Sequence, residues 1–137
     1  MWYHVDPHSG IPIYIQLIEQ IKKAVASGQL NPGEQLPSVR ELALQLTINP
    51  NTVSKAYQEL ERQGTIQSAR GLGTFVAKRN QEFGGQQEAA LEKALETLMV
   101  EAYQLAVDEE TLREKFSEKL AAWKDRLKGE RRNGMGD

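Results

Sequence analysis

Apolar positions along the chain recur with two different periods, and the change from one to the other marks where helices give way to strands. Ile13, Leu17, Ile18, Ile21 and Val25 fall three or four residues apart on one helical face, predicting a first helix that opens near Pro12 and closes at Ser27-Gly28. Asn31-Pro32-Gly33 is turn chemistry. In the LPSVRELALQL that follows, Ser38 with Glu41 three residues on has the pattern of a capping box, and Leu42 can staple the entry. A second helix is therefore expected over Val39 to about Leu46. Only Thr47, Ile48 and Asn49 separate it from a third. There Asn49 suits the N-cap, Pro50 the first helical position and Gly64 the far end, with Val53, Ala56, Tyr57 and Leu60 as the inward stripe.

Beyond Gly64 the pattern shortens. Thr65 to Ala69 and Thr74 to Ala77 are β-compatible runs joined by RGLG, which predicts a small hairpin, and Trp2 to Val5 has strand composition as well. Residues 79–88 are polar, contain Gly84-Gly85 and read as a linker. Helical periodicity then returns twice. Leu91, Leu95, Leu98, Ala102 and Leu105 form one stripe, Asp108 can cap a new start, and Leu112, Phe116, Leu120, Trp123 and Leu127 form another. Residues 129–137, GERRNGMGD, read as a disordered tail. The expected fold is mainly α (α+β): an N-terminal winged helix-turn-helix domain over 1–78, a linker over 79–88 and a C-terminal two-helix region over 89–128. Two amphipathic helices of this length expose too much apolar surface to stand as a lone hairpin. Leu91, Leu95, Leu98, Leu105, Leu112, Phe116, Leu120 and Trp123 are thus expected to pair with a symmetry mate, making a homodimer.

Composition narrows the function classes. With 137 residues there is room for one ordinary domain or two very small ones, and a hydrophobic content of 39% with 26% charged residues is that of a globular protein. The chain has no cysteine, which removes disulfide scaffolds, thiolate zinc sites and thiol nucleophiles. No apolar run approaches the roughly 20 residues that span a bilayer, and MWYHVDPHSG lacks the basic and apolar regions of a leader, so a cytoplasmic protein is expected. The formal net charge of −2 conceals an asymmetry: residues 1–80 carry 8 Lys/Arg against 6 Asp/Glu, whereas residues 81–137 carry 9 against 13. An acidic total is therefore compatible with a polyanion-binding N-terminal part.

The order helix, helix, short turn, helix, hairpin is that of a winged helix-turn-helix, in which the third helix can enter a major groove by its N-terminal end. Asn51, Thr52, Ser54 and Lys55 crowd amide, hydroxyl and ammonium groups onto that end, where the helix dipole is positive, which suits phosphates and base edges. Arg40 can reach a phosphate or a guanine edge, or be an ordinary exposed helix charge. Arg70 can enter a minor groove, or be a solvated turn residue. Gly71 and Gly73 permit close backbone approach, although hairpin glycines need no function. His4, Asp6 and His8 alternate on an extended segment and could converge on a metal, but no fourth ligand is evident and no metal is expected. No Ser/His/Asp or paired-carboxylate arrangement stands out, so neither an enzyme nor a cofactor is expected.

The run IPIYIQLIEQIKKAVASGQLNPGEQLPSVRELALQLTINPNTVSKAYQELERQG, followed by RGLGTFV, resembles the DNA-binding domain of bacterial GntR-family transcription regulators over roughly residues 10–78. The combination of LPSVREL, NPNTVSKAY and GxGTFV in this order carries the resemblance. It implies contact with double-stranded DNA at Ser38 and Arg40, at Asn51, Thr52 and Lys55, and at Arg70, Gly71 and Gly73 in the wing. Two positions depart from the family pattern: Thr47, where a small residue is usual in the turn, and Leu72, where a basic residue is frequent between the wing glycines. The short two-helix C-terminal part resembles the YtrA-like branch. That implies a dimeric regulator, often of transporter genes; a two-fold dimer would read a palindromic operator, and repression is expected, although no residue distinguishes it from activation. A small-molecule effector could bind beside the C-terminal helices or between subunits, but no residue identifies one. The competing expectations are a protein-interaction adaptor and a non-specific architectural DNA binder.

Overall fold

The computed structural model describes residues 3–78 and 84–136 and divides the chain into two compact units, Met1–Lys78 and Arg79–Asp137. The first unit holds α1 (Ile13–Ser27), β1 (Gln35–Leu36), α2 (Val39–Leu46), α3 (Pro50–Arg62), β2 (Ile66–Ala69) and β3 (Gly73–Val76). The second holds α4 (Gly85–Gln104) and α5 (Glu109–Gly136). The strands form a three-stranded antiparallel sheet in the order β1-β3-β2. The architecture is that of a winged helix followed by helices.

The core of the first unit collects the stripes of three helices and the inward residues of the sheet. Leu17, Ile21, Leu42, Val53, Ala56, Leu60 and Val76 are fully buried, and Leu30, Leu36 and Ile66 nearly so. Each large aliphatic side chain buried in this way contributes about 1.5–3 kcal/mol. The core contains no polar residue among those described, so polar groups of this unit are available at its surface.

Three local differences from the sequence pattern have physical causes. Tyr3 to Val5 form no strand, because their backbone is served by α1 side chains. Gln20 bonds both the N–H and the carbonyl of His4, while Gln16 accepts from Asp6 N–H (2.8 Å) and donates to the carbonyls of Asp6 (2.9 Å) and Ile11 (2.8 Å). Tyr3 and Val5 then pack on the helical core. Strand β1 is too short to have a period; it exists because β3 offers it a free edge, pairing Gln35 with Phe75 and Leu36 with Thr74. Finally, α4 begins at Gly85, inside the stretch expected to be a linker, and α5 runs to Gly136, where a disordered tail was expected. Gln86, Gln87, Glu88, Ala89 and Ala90 are good helix formers whose polarity is that of a helix surface. At the far end, an established helix extends at one hydrogen bond per residue and tolerates single glycines at about 1 kcal/mol each. The remaining linker residues 79–83 lie outside the described residues.

In the second unit Asp108 caps α5 by accepting from Thr111 N–H (3.1 Å), and the Thr111 bonds hold the Asp108 carboxyl below the usual carboxylate range. Apart from Ala102, no residue of α4 or α5 among those described is buried, and the two helices do not pack along their lengths.

Candidate nucleic-acid interface

The predicted contact residues lie at three places on the first unit. Ser38 and Arg40 are at the start of α2, Asn51, Thr52 and Lys55 are in the opening turns of α3, and Arg70, Gly71 and Gly73 belong to the wing between and at the head of its strands. All are exposed except Thr52, which is half-buried.

Ser38 closes a full capping box. Its hydroxyl oxygen accepts from Glu41 N–H at 3.0 Å, and Glu41 Oε1 accepts from Ser38 N–H at 3.2 Å. The cap uses the oxygen as acceptor and leaves the hydroxyl proton to donate outward. The cap is held against α3 by the Tyr57 hydroxyl, which donates to the Pro37 carbonyl at 2.7 Å. Burial, and secondarily the Glu41 charge, push the Tyr57 phenol well above its ordinary pKa.

The turn into α3 is tight. Thr47 is left-handed (φ 56°, ψ 51°), its N–H reaches Leu44 O, and Ile48 N–H reaches Ala43 O, which is a Schellman ending. Asn49 Oδ1 then accepts from Asn51 N–H at 2.8 Å with Pro50 at the first helical position. This leaves the Asn51 side chain at the tip with no intramolecular hydrogen bond among the described residues.

In the wing, Leu72 N–H bonds Ala69 O at 2.9 Å across a turn that places Arg70 and Gly71 at its apex, Gly71 having φ 79°. Gly73 has φ 124°, and a Cβ there would meet Gln35 Nε2 at 2.6 Å. Gln35 in turn donates to Leu72 O at 3.1 Å, so β1 braces the wing tip. A second brace joins wing and helix: Ser68 N–H donates to Glu61 Oε1 at 3.1 Å. Sequence patterns did not single out Gln35, Glu61 or the Tyr57 hydroxyl, because each acts on a partner distant along the chain.

The basic residues divide into committed and uncommitted. Arg62 is paired with Glu59, whose carboxyl is brought down to about 2 by hydrogen bonds from Arg62 and then Gln63. Arg40 and Arg70 have no ion-pair partner among the described residues, and the Lys55 ammonium lies 3.9 Å from the centroid of the Tyr14 ring. Arg40, Arg70 and Lys55 thus keep their charge, as do the exposed Lys22, Lys23 and Lys78, and cations in this state suit a polyanion. At the N-terminus, Asp6 Oδ1 accepts from His8 N–H (2.9 Å), so the carboxylate closes a turn, and no cluster suited to a metal occurs among the described residues.

The family model for bacterial regulatory proteins of the gntR family matches residues 13–76. The HTH-type transcriptional repressor YtrA of Bacillus subtilis is 43% identical over 115 residues, covering 83% of this chain and 88% of that protein. The chain belongs to the gntR family. The resemblance extends past the winged helix into the C-terminal helices, as expected of a YtrA-like member. A Listeria monocytogenes protein described as a transcriptional antiterminator superposes with a TM-score of 0.72 at 36% identity, over 85% of this chain and 88% of that one. YtrA from Sulfolobus acidocaldarius, a GntR-family transcription factor, superposes with a TM-score of 0.56 at 29% identity, over 88% and 97%. This gntR-family chain is a DNA-binding transcription regulator and not an enzyme, and none of its described helices is long and apolar enough to cross a membrane.

Proposed function

We propose that the protein is a cytoplasmic homodimeric repressor that binds a two-fold symmetric operator. Asn51, Thr52 and Lys55 enter the major groove, Arg40 and Ser38 hold the flanking backbone, and Arg70 with Gly71 and Gly73 lays the wing along the minor groove. The observation that carries the dimer is the unpartnered apolar surface of the second unit. Leu91 is 49% exposed, Leu105 71%, Phe116 51% and Leu120 50%, with Leu95 and Leu98 over one third exposed and Leu112 and Trp123 half-buried. These residues repeat at helical spacing and find no core among the described residues of their own unit, so a second copy of the same two helices supplies one. A two-fold dimer presents two reading helices, and its operator must carry the same symmetry. Repression is supported by the function named for the Bacillus subtilis relative.

Incubating the protein with sheared DNA of its source genome and sequencing the fragments retained at near-physiological salt tests the proposal. A shared two-fold symmetric motif upstream of genes, transporter genes among them, is the expected result. Retention without a motif would make the protein an architectural binder, and no retention by folded protein would make the winged helix a protein-binding adaptor.

A further inference from the structure

The arrangement around Lys55 contains more than a free cation. On α3, Glu59 lies one turn beyond Lys55, at the i,i+4 spacing where an ion pair would form. Glu59 is instead engaged by Arg62 Nε at 2.9 Å, by a second Arg62 nitrogen and by Gln63 Nε2 at 3.1 Å. A glutamate preceding its cation is the favoured order along a helix, so Arg62 is the better partner. The Lys55 ammonium turns to α1 and sits over the half-buried Tyr14 ring at 3.9 Å, where α1 and α3 flank a recess of about 630 Å³. A carboxylate would fix this side chain and cancel its charge. An aromatic face fixes it and leaves the charge in place, because a ring quadrupole attracts a cation without neutralising it.

We propose that Tyr14 is a positioning residue for DNA binding, holding the Lys55 ammonium ready for a phosphate while Arg62 keeps Glu59 from capturing it. The proposal rests on Lys55 being a DNA contact, as proposed above. A lysine stem has large rotamer freedom, and immobilising it before binding removes an ordering loss from the complex. The hydroxyl of Tyr14 is not needed; the ring is.

The test uses the full chain and a duplex selected from a random-sequence pool by the wild-type protein, with affinity measured across a salt series. Lys55→Ala is expected to weaken binding and to flatten the slope of log K against log salt by about 0.9. Tyr14→Leu is expected to weaken binding roughly two- to fivefold, Tyr14→Phe to restore it, and Tyr14→Leu to add nothing when Lys55 is already alanine. In the free protein, NMR should show the Lys55 ε-methylene protons shifted upfield by the ring in the wild type and Tyr14→Phe, and unshifted in Tyr14→Leu. Arg62→Met should also weaken binding by freeing Glu59 to pair with Lys55, with recovery in the Arg62→Met, Glu59→Gln double variant. An equal loss from Tyr14→Leu with or without Lys55, failure of phenylalanine to restore binding, or an unchanged Arg62→Met would overturn the proposal while leaving the α3 contacts intact. An unchanged affinity and slope in Lys55→Ala would instead remove Lys55 from the interface, and the role of Tyr14 with it.

Discussion

At two single residues, Ser38 and Thr47, the demands of the fold can be set against a substitution that changes only one of them. Ser38 caps α2 with its oxygen, and in the proposed interface its hydroxyl proton is left to donate to DNA. Ser38→Asp retains the cap acceptor and places a negative charge where a phosphate should sit. It is expected to keep the unfolding free energy within about 0.5 kcal/mol of wild type while weakening operator binding, whereas Ser38→Ala loses about 1 kcal/mol of stability as well. Parallel urea titrations and DNA titrations would distinguish them, and unimpaired DNA binding by Ser38→Asp would remove Ser38 from the interface. Thr47 occupies the left-handed position that Gly64 occupies at the end of α3 and Ala106 at the end of α4 (φ 56°, 82° and 57°). All three close the same pair of backbone bonds. A β-branched residue there carries a steric penalty of roughly 1–2 kcal/mol, partly offset because glycine loses more backbone freedom on folding. Thr47→Gly should therefore raise stability by about 1 kcal/mol, read as a higher urea midpoint at unchanged slope.

At the scale of elements, α3 is set by a hydrogen bond whose acceptor lies outside it. The Tyr57 hydroxyl ties the middle of α3 to Pro37, immediately before the cap of α2. Tyr57→Phe leaves that carbonyl without this donor and should cost about 1 kcal/mol. The phenol's raised pKa gives the bond a pH signature. A group favoured in its neutral form by folding contributes its stability below the unfolded pKa of about 10 and loses it as pH climbs from there towards the higher folded value. Wild-type stability should fall more steeply above pH 10 than that of Tyr57→Phe, and parallel curves would show that the phenol does not couple to folding. The wing is likewise positioned from outside itself, by Gln35 on β1 and Glu61 on α3. Of these elements, the three helices and the hairpin of the first unit were legible in their periods and caps. Strand β1 was not, since two residues have no pattern and its existence depends on an edge supplied by β3.

For the whole molecule, the decisive quantity is apolar surface left without a partner. Phe116→Glu combined with Leu120→Glu puts charge into the stripe that the proposed dimer buries. The pair should sediment as a folded monomer at micromolar concentration, and its operator affinity should drop by more than tenfold, because one reading helix loses the help of the other. An unchanged sedimentation coefficient and affinity would move the dimer contact elsewhere. The charge asymmetry also belongs to this scale: the first unit carries Arg40, Lys55 and Arg70 with no ion-pair partner among the described residues, while most acids lie in the second.

What the sequence determined by itself was whatever depends on neighbours within about four residues: the capping box at Ser38, the Asn49-Pro50 start of α3, the helical stripes and the glycine turn of the wing. Those interactions close inside one turn, so residue order alone specifies them, and their combination was enough to indicate the winged helix and the family. Tertiary structure decided what depends on pairs brought together only by packing. Gln16 and Gln20 take the backbone bonds of the N-terminal segment, so it is not a strand. Tyr57 finds Pro37, Gln35 finds the Leu72 carbonyl in the wing, and Tyr14 receives the ammonium that Glu59 does not. No local period encodes such partners, because each requires the core to have brought distant helices and strands to a fixed separation first.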